Sequence, residues 1–94
     1  MELSTNKHYF YILICKDNTL YCGYSNDLNN RVNVHNSGKG AKYTRSRIPV
    51  KLVYFETFDT KSKALKRECE VKKLNRNQKL KLISEFNLKH RTLL

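Results

Sequence analysis

Arg31 and His35 lie four residues apart in a stretch of helical spacing, so their side chains share one face. A guanidinium is planar, always charged and matched to phosphate oxygens. An imidazole is the natural proton acceptor near neutral pH. The pair suits phosphoryl chemistry, although the same spacing is more often an ordinary solvated helix face. Glu68 stands among Lys66, Arg67, Lys72 and Lys73. A lone carboxylate there is ordinarily the salt-bridge partner of Lys72, four residues on. Yet one carboxylate together with substrate phosphate is enough to hold Mg²⁺. Glu70 competes for that role, and periodicity does not separate the two cleanly. Lys42, Tyr43, Arg45 and Arg47 form a basic, aromatic-bearing segment suited to gripping a nucleic-acid backbone, with Tyr43 equally suited to anchoring the segment.

Other chemistries lack their residues. The sequence has no GxSxG, no phosphate-binding P-loop, no dinucleotide fingerprint and no zinc-finger spacing. No pair of nearby strand carboxylates suggests a two-metal site. Cys15, Cys22 and Cys69 form no CxxC and have no histidine at metal-ligand spacing, so they read as small apolar fillers. An odd cysteine count and a polar N-terminus without an apolar core point to a reducing, cytoplasmic setting. No apolar run approaches membrane-spanning length.

The charge balance narrows the partner. Lys plus Arg number 19 against 8 acidic residues, a formal net charge of +11. Self-repulsion of that size disfavours the compact state, and a polyanionic partner is the usual reason to carry it. Nucleic acid is the first expectation, with an anionic membrane a distant second. Residues 59–94 carry 11 of the basic side chains against 4 acidic ones, so this part is the expected backbone-contacting face. Lys72 and Lys73 belong to it.

These residues need elements to position them. Tyr9–Cys15 is a dense aromatic and β-branched run that predicts a buried strand. Turn formers at Lys16–Thr19 lead to a return strand over Leu20–Tyr24, with Gly23 marking a bulge or a close approach. Ser25-Asn26-Asp27 signals a helix start, with Leu28, Arg31, Val32 and His35 following at helical spacing and Ser37-Gly38 as the stop. Residues 39–49 read as a loop, and Val50–Phe58 as a third strand after Pro49. Thr60 or Ser62 caps a second helix through Leu74, Asn75–Asn77 breaks it, and Gln78–Phe86 makes a last amphipathic helix. The expected fold is α+β: a three-stranded antiparallel sheet flanked by helices, in the order β-β-α-β-α-α. One domain over residues 9–86 is expected, between a flexible N-terminus (1–8) and a frayed tail (87–94).

Taken together, YFYIL (Tyr9–Leu13), LYCGYS (Leu20–Ser25), Arg31, His35, GKGAKYTR (Gly38–Arg45) and ALKRE (Ala64–Glu68) resemble the GIY-YIG endonuclease superfamily. The closest likeness is to its small stand-alone bacterial members, known as UPF0213. The resemblance covers roughly residues 9–83. GKGAKYTR with YCG at this spacing is specific, whereas any one element alone is not. Tyr9, Phe10 and Cys22 depart from the pattern that gives the superfamily its name, at strand positions where packing is the main demand.

The resemblance implies metal-dependent cleavage of a phosphodiester, on DNA that is branched or damaged. Glu68 would hold one Mg²⁺ or Mn²⁺ ion, and Arg31 would neutralise charge developing on the phosphoryl group. Tyr11 or His35, with Tyr21, would deprotonate water; His35 is favoured as the base and Tyr11 as its orienting partner. Cleaving members usually carry a targeting module, which is not expected in these 94 residues. Low specificity, a targeting partner protein, or loss of catalysis to leave a DNA- or RNA-binding module are the resulting alternatives. The site also constrains the hairpin: Tyr11 and Tyr21 must share a sheet face. A loop of three or five residues, or a bulge near Gly23, is therefore expected rather than a loop of two or four.

Overall fold

A computed structural model of the chain describes residues 7–91, with side chains to residue 89. The elements are β1 (His8–Ile14), β2 (Leu20–Ser25), α1 (Leu28–Asn36), α2 (Lys42–Arg45), β3 (Lys51–Phe58), α3 (Lys61–Lys72) and α4 (Arg76–Arg91). The three strands form one antiparallel sheet in the order β2-β1-β3. The expected α+β architecture is observed, with α2 as an added single turn inside the segment read as a loop. Among the described residues no helix is long and apolar enough to cross a membrane.

β1 lies between the other two strands, and its Phe10, Tyr11, Ile12 and Leu13 are all buried. A strand covered on both faces reads as a continuous apolar run rather than an alternation. On one face Tyr11, Leu13, Cys15 and Val50 pack with Leu28 and Val32 of α1 and with Ile48, Leu52 and Phe55. On the other, Phe10, Ile12, Cys22 and Tyr54 pack with Val71 of α3 and with Leu82, Ile83 and Phe86 of α4. The sheet thus separates α1 from α3 and α4.

The β1–β2 register decides where the site can form. Tyr11 pairs with Gly23 and Leu13 with Tyr21, so Tyr11 and Tyr21 point to the same face. The intervening loop, Cys15–Thr19, has five residues, as the shared-face requirement predicts. It is closed by a Cys15 N–H to Thr19 carbonyl bond (2.9 Å), with Asn18 in the left-handed region at φ 69°. The sheet's irregularity falls between β1 and β3 instead: Ile12 faces Tyr54 while Leu13 faces Leu52. Val53 is the extra residue, which lets Leu52 and Phe55 serve the same apolar face.

The helix starts follow their caps. Asp27 accepts from Asn30 N–H at 3.1 Å and Thr60 from Lys63 N–H at 3.2 Å. Gly38, at φ 82°, follows the end of α1. Two expectations need correction. Asn75–Asn77 does not merely break α3: Asn75 Oδ1 accepts from Gln78 N–H (2.8 Å), and Gln78 Oε1 accepts from Asn75 N–H (3.0 Å). This reciprocal capping box starts α4 at Arg76. Nor does the chain leave helix at 87, since α4 continues to Arg91. At the other end His8 already belongs to β1. Residues 1–6 of the expected flexible N-terminus and 92–94 of the expected tail lie outside the described residues.

The Tyr11–Gly23 pairing is sterically tight. A Cβ at position 23 would fall 2.5 Å from Tyr11 Oη and 2.6 Å from Cζ. Tyr11 is 1% exposed and its hydroxyl is hydrogen-bonded, so the ring has nowhere to swing. Gly23→Ala should therefore destabilise the fold by about 1–3 kcal/mol through overpacking. For a domain of this size each ~1 kcal/mol lowers Tm by about 4–8 °C. A melting curve within 2 °C or so of wild type, on that same scale, would show that the ring is not held over Gly23.

Candidate active site

Because Gly23 has no side chain, the Tyr11 ring lies across β2, the edge strand, on the α1 face. Its hydroxyl is met by α1. Tyr11 Oη lies 3.0 Å from His35 Nε2, and the positive charge of Arg31 acts on the same phenol. Arg31 and His35, one helical turn apart, thus face the same side chain. His35 is fully buried, and its other ring nitrogen, Nδ1, lies 2.8 Å from Thr44 Oγ1. Thr44, also fully buried, donates from its hydroxyl to the Ala41 carbonyl at 3.0 Å. Tyr21 completes the cluster, its ring centroid 5.3 Å from that of His35 and 6.5 Å from that of Tyr11.

Glu68 reaches this edge from the other side of the sheet. It projects from α3 with its side chain 17% exposed, and Lys72 Nζ lies 3.1 Å from Oε2. Its charge is felt at both Tyr11 and Cys22. Exposure separates the two acidic candidates that periodicity left level. Glu70 is 53% exposed and pairs with Arg67 at 3.3 Å, away from the cluster. Arg67 in turn holds Glu56 at 2.9 Å, a contact between α3 and β3.

Burial sets the protonation states. It pushes the Tyr11 phenol above its ordinary value, a shift that Arg31 only partly offsets. It pulls His35 below the ordinary histidine value, with the positive charge of Arg31 acting in the same sense. A neutral phenol therefore faces a neutral imidazole. The hydrogen bond to Glu68 raises the Lys72 ammonium, so that ion pair stays charged. Cys22, buried beside them, has its thiol pushed up by desolvation.

An open groove of about 290 Å³ adjoins the cluster, lined by Leu20, Tyr21, Cys22, Tyr43, Lys72 and Lys79. Tyr43 stacks on Tyr21 with centroids 6.1 Å apart and planes at 20°, so it does anchor its segment while keeping 38% exposure. Arg47 plays a different part from its basic neighbours. Its guanidinium sits 4.0 Å from the Tyr43 ring centroid, donates to the Tyr43 carbonyl at 2.8 Å, and binds Asp17 of the β1–β2 loop at 3.0 Å. It ties α2 to that loop. Lys42 and Arg45 on α2 and Lys73 at the end of α3 are exposed. Cys15 and Cys22 are buried as expected, whereas Cys69 is exposed on α3. Among the described residues no three His, Cys, Asp or Glu side chains gather in a way that could hold a metal ion.

A model of the GIY-YIG catalytic domain matches residues 7–81 of this chain. The chain belongs to the GIY-YIG family. Its relatives include UPF0213 proteins, among them SSP2268 of Staphylococcus saprophyticus, 61% identical over 80 residues (85% of this chain and 98% of that protein). UPF0213 protein YazA of Bacillus subtilis is 52% identical over 83 residues, 88% of this chain and 84% of its own length. Two solution NMR structures share the fold. UPF0213 protein BH0048 of Bacillus halodurans aligns with a TM-score of 0.54 at 50% identity over 83% of each chain. Protein EF2693 of E. faecalis aligns with a TM-score of 0.60 at 44% identity, covering 94% of this chain and 93% of its own.

In this GIY-YIG domain two participants, Thr44 and Gly40, were not singled out by residue chemistry. A Cβ on Gly40 would fall 2.5 Å from His35 Nδ1 and 2.9 Å from its Cα. Gly40 therefore lets the segment before α2 close over the imidazole and bring Thr44 to it. The GKGAKYTR motif contains both residues, but nothing in its composition says that it folds back onto His35.

The buried neutral histidine makes stability depend on pH. The unfolded chain binds a proton near pH 6.5 and the folded protein only at lower pH, so between those values the unfolded state holds more protons. Stability should hence fall as pH drops below 6.5, by at most about 1.4 kcal/mol per pH unit. Chemical denaturation of wild type and His35→Gln at pH 7.5 and 5.5 checks this. The variant should lose the slope, and an unchanged slope would mean that His35 is not the group responsible.

Proposed function

We propose that this protein is a divalent-metal-dependent phosphodiesterase acting on DNA, with branched or damaged DNA as the class to try first. The observation that carries the reading is the convergence at one sheet edge: Tyr11, Arg31 and His35 from one face, and Glu68 within electrostatic reach from the other. A domain that only bound nucleic acid would have no use for a carboxylate in a basic field, nor for a phenol backed by a buried proton acceptor. The net charge of +11 and the groove with Lys72 and Lys79 supply the polyanion-binding surface. The match to a catalytic domain supports the same conclusion.

Within this reading Tyr11 and His35 exchange the roles first expected of them. His35 has no accessible surface and both of its ring nitrogens are engaged, so it meets no water directly. Tyr11 has only one hydrogen bond at its hydroxyl among the described residues, and its ring reaches the edge strand over Gly23. Tyr11 takes a proton from the attacking water as it passes its own to Nε2 of His35. The water oxygen bonds to phosphorus, the P–O bond to the leaving oxygen breaks, and that oxygen is protonated from solvent. A phenol above its ordinary value is a poor base alone, and the hydrogen-bonded imidazole removes the need to form a free phenolate. Arg31 lies beside the same hydroxyl and neutralises negative charge developing on the phosphoryl oxygens.

Glu68 fits one Mg²⁺ or Mn²⁺ ion: its carboxylate is mostly sheltered, and among the described residues its ion pair is with the exposed Lys72. Mg²⁺ usually keeps several waters and takes one or two carboxylates plus substrate phosphate. When bound, the ion would supply charge neutralisation at the phosphate and the leaving oxygen. Lys42, Arg45, Lys72 and Lys73 grip the backbone from the exposed surface, and Tyr43 lies along the groove edge beside sugar or base. A targeting protein partner would supply the specificity that a small basic domain lacks, and the three free cysteines suit a cytoplasmic setting.

One observation favours a second reading. Lys72 already neutralises Glu68, as it would in a non-catalytic DNA- or RNA-binding module. Labelled single-stranded, duplex and branched DNA incubated with Mg²⁺ or Mn²⁺ separates the two. Cleavage by wild type that is lost in Glu68→Ala is the expected result. Salt-sensitive binding without cleavage, equal in both proteins, would leave the binding module standing. Lys72→Ala should weaken binding similarly across sequences and reduce the salt dependence by about one phosphate contact.

A further inference from the structure

Thr44 contributes neither charge nor a nucleophile at the groove, yet it is fully buried and both of its hydroxyl contacts are accounted for. We infer that Thr44 is a positioning residue that fixes the tautomer of His35, keeping the proton on Nδ1 and leaving Nε2 bare to receive the Tyr11 proton. The inference rests on the catalytic reading for its consequence, but not for its geometry.

Hydrogen-bond accounting at Thr44 and the charge beside Tyr11 point to the same tautomer. At one end, the Thr44 hydroxyl has a single proton, and it lies 3.0 Å from the Ala41 carbonyl, which can only accept. With that proton directed to Ala41, Oγ1 offers His35 a lone pair and Nδ1 is the donor across 2.8 Å. At the other end, the cationic Arg31 guanidinium beside Tyr11 favours turning the lone pairs of the phenol oxygen, rather than its proton, toward that charge. The Tyr11 proton is then free for Nε2 at 3.0 Å. Donors therefore run in one direction, from Tyr11 O–H to His35 Nε2, from Nδ1–H to Thr44 Oγ1, and from Thr44 O–H to the Ala41 carbonyl.

The local fold holds this order in place. Ala41 is the N-cap of α2, and Thr44 sits on that turn with its own N–H 3.1 Å from the same carbonyl. Gly40 removes the side chain that would otherwise push the turn away from the imidazole. Arg47 ties α2 to the β1–β2 loop, so Thr44 is held from both sides. Once His35 has taken the Tyr11 proton, the imidazolium keeps its Nδ1–H bond to Thr44, which is the acceptor a buried cation needs. Without that hydroxyl, Nδ1–H has no acceptor, and the favoured neutral form moves its proton to Nε2, where it faces Tyr11.

Nitrogen-15 NMR of the full-length protein, without metal or DNA, reads the tautomer directly. Wild type and Thr44→Ser should show a pyrrole-like Nδ1 and a pyridine-like Nε2 for His35. Thr44→Val, nearly the same shape, should shift population to Nε2–H. Where DNA is cleaved, its rate should fall by about 10²-fold or more, the scale of a lost general base, with the serine variant restoring it. A pyridine-like Nδ1 in wild type overturns the inference, and so does an unchanged tautomer in a folded Thr44→Val. If the valine variant does not fold, the wild-type and serine spectra still decide. If wild type shows the expected tautomer but cleaves no DNA, the nuclease reading fails while the positioning role stands.

Discussion

The arrangement depends on the passage of one aromatic ring over one glycine. Tyr11 is anchored in the central strand, where its backbone is fixed by neighbours on both sides, yet its ring reaches across the edge strand of the sheet. The ring can cross β2 only at a residue without a side chain, and the register places Gly23 there. The five-residue Cys15–Thr19 loop is what makes that register available. A loop one residue shorter or longer would turn Tyr21 to the opposite face and place a side chain under the ring. Hairpin length, glycine position and tyrosine position are therefore one constraint.

The same crossing explains how the two faces of the sheet share a site. A sheet normally isolates the helices on its two sides, and here α1 and α3 are separated by it. The site is therefore built at an edge, where β2 is the last strand and side chains from both layers can meet. α1 supplies the cation and the proton acceptor to one side of the Tyr11 oxygen, and α3 brings the carboxylate from the other. The layered packing also keeps unlike charges apart where they would quench each other. Arg31 acts on the phenol and Glu68 pairs with Lys72. A polyanion entering the groove meets cations on both layers and one carboxylate.

Element types, the sheet and the shared face of Tyr11 and Tyr21 were legible in the sequence, because apolar runs, caps and alternation are local rules. The family likeness was legible through motif spacing. The α2 turn was not, since KYTR has no apolar face and one turn gives no periodicity; its stability comes from Arg47, Asp17 and Tyr21, which are distant in sequence. Asn75 and Gln78 form a recognisable capping box that was read only as a break, although asparagine followed three residues later by glutamine carries the signal. Thr44 was hidden for a deeper reason. A hydroxyl acquires its role from the partner that its backbone is folded against, and the partner here is fixed by the return of the segment over His35. Glu68 and Glu70 illustrate the same limit, since exposure rather than spacing separates them.

A small basic domain has reason to avoid burying polar groups, which makes the Tyr11–His35–Thr44 chain informative. Each buried donor or acceptor left unpaired costs about 1–3 kcal/mol, a large share of the stability of a domain this size. Leucine-like residues at these positions would remove that exposure to failure. The chain is tolerable because every member is satisfied, and satisfaction requires all of them together with Ala41 and Gly40. In the donor order inferred for this network every member has its partner, so it fixes the imidazole more narrowly than packing alone. A structural core gains nothing from knowing which nitrogen of a histidine bears the proton. In the proposed mechanism the phenol hands its proton to that histidine and so depends on it.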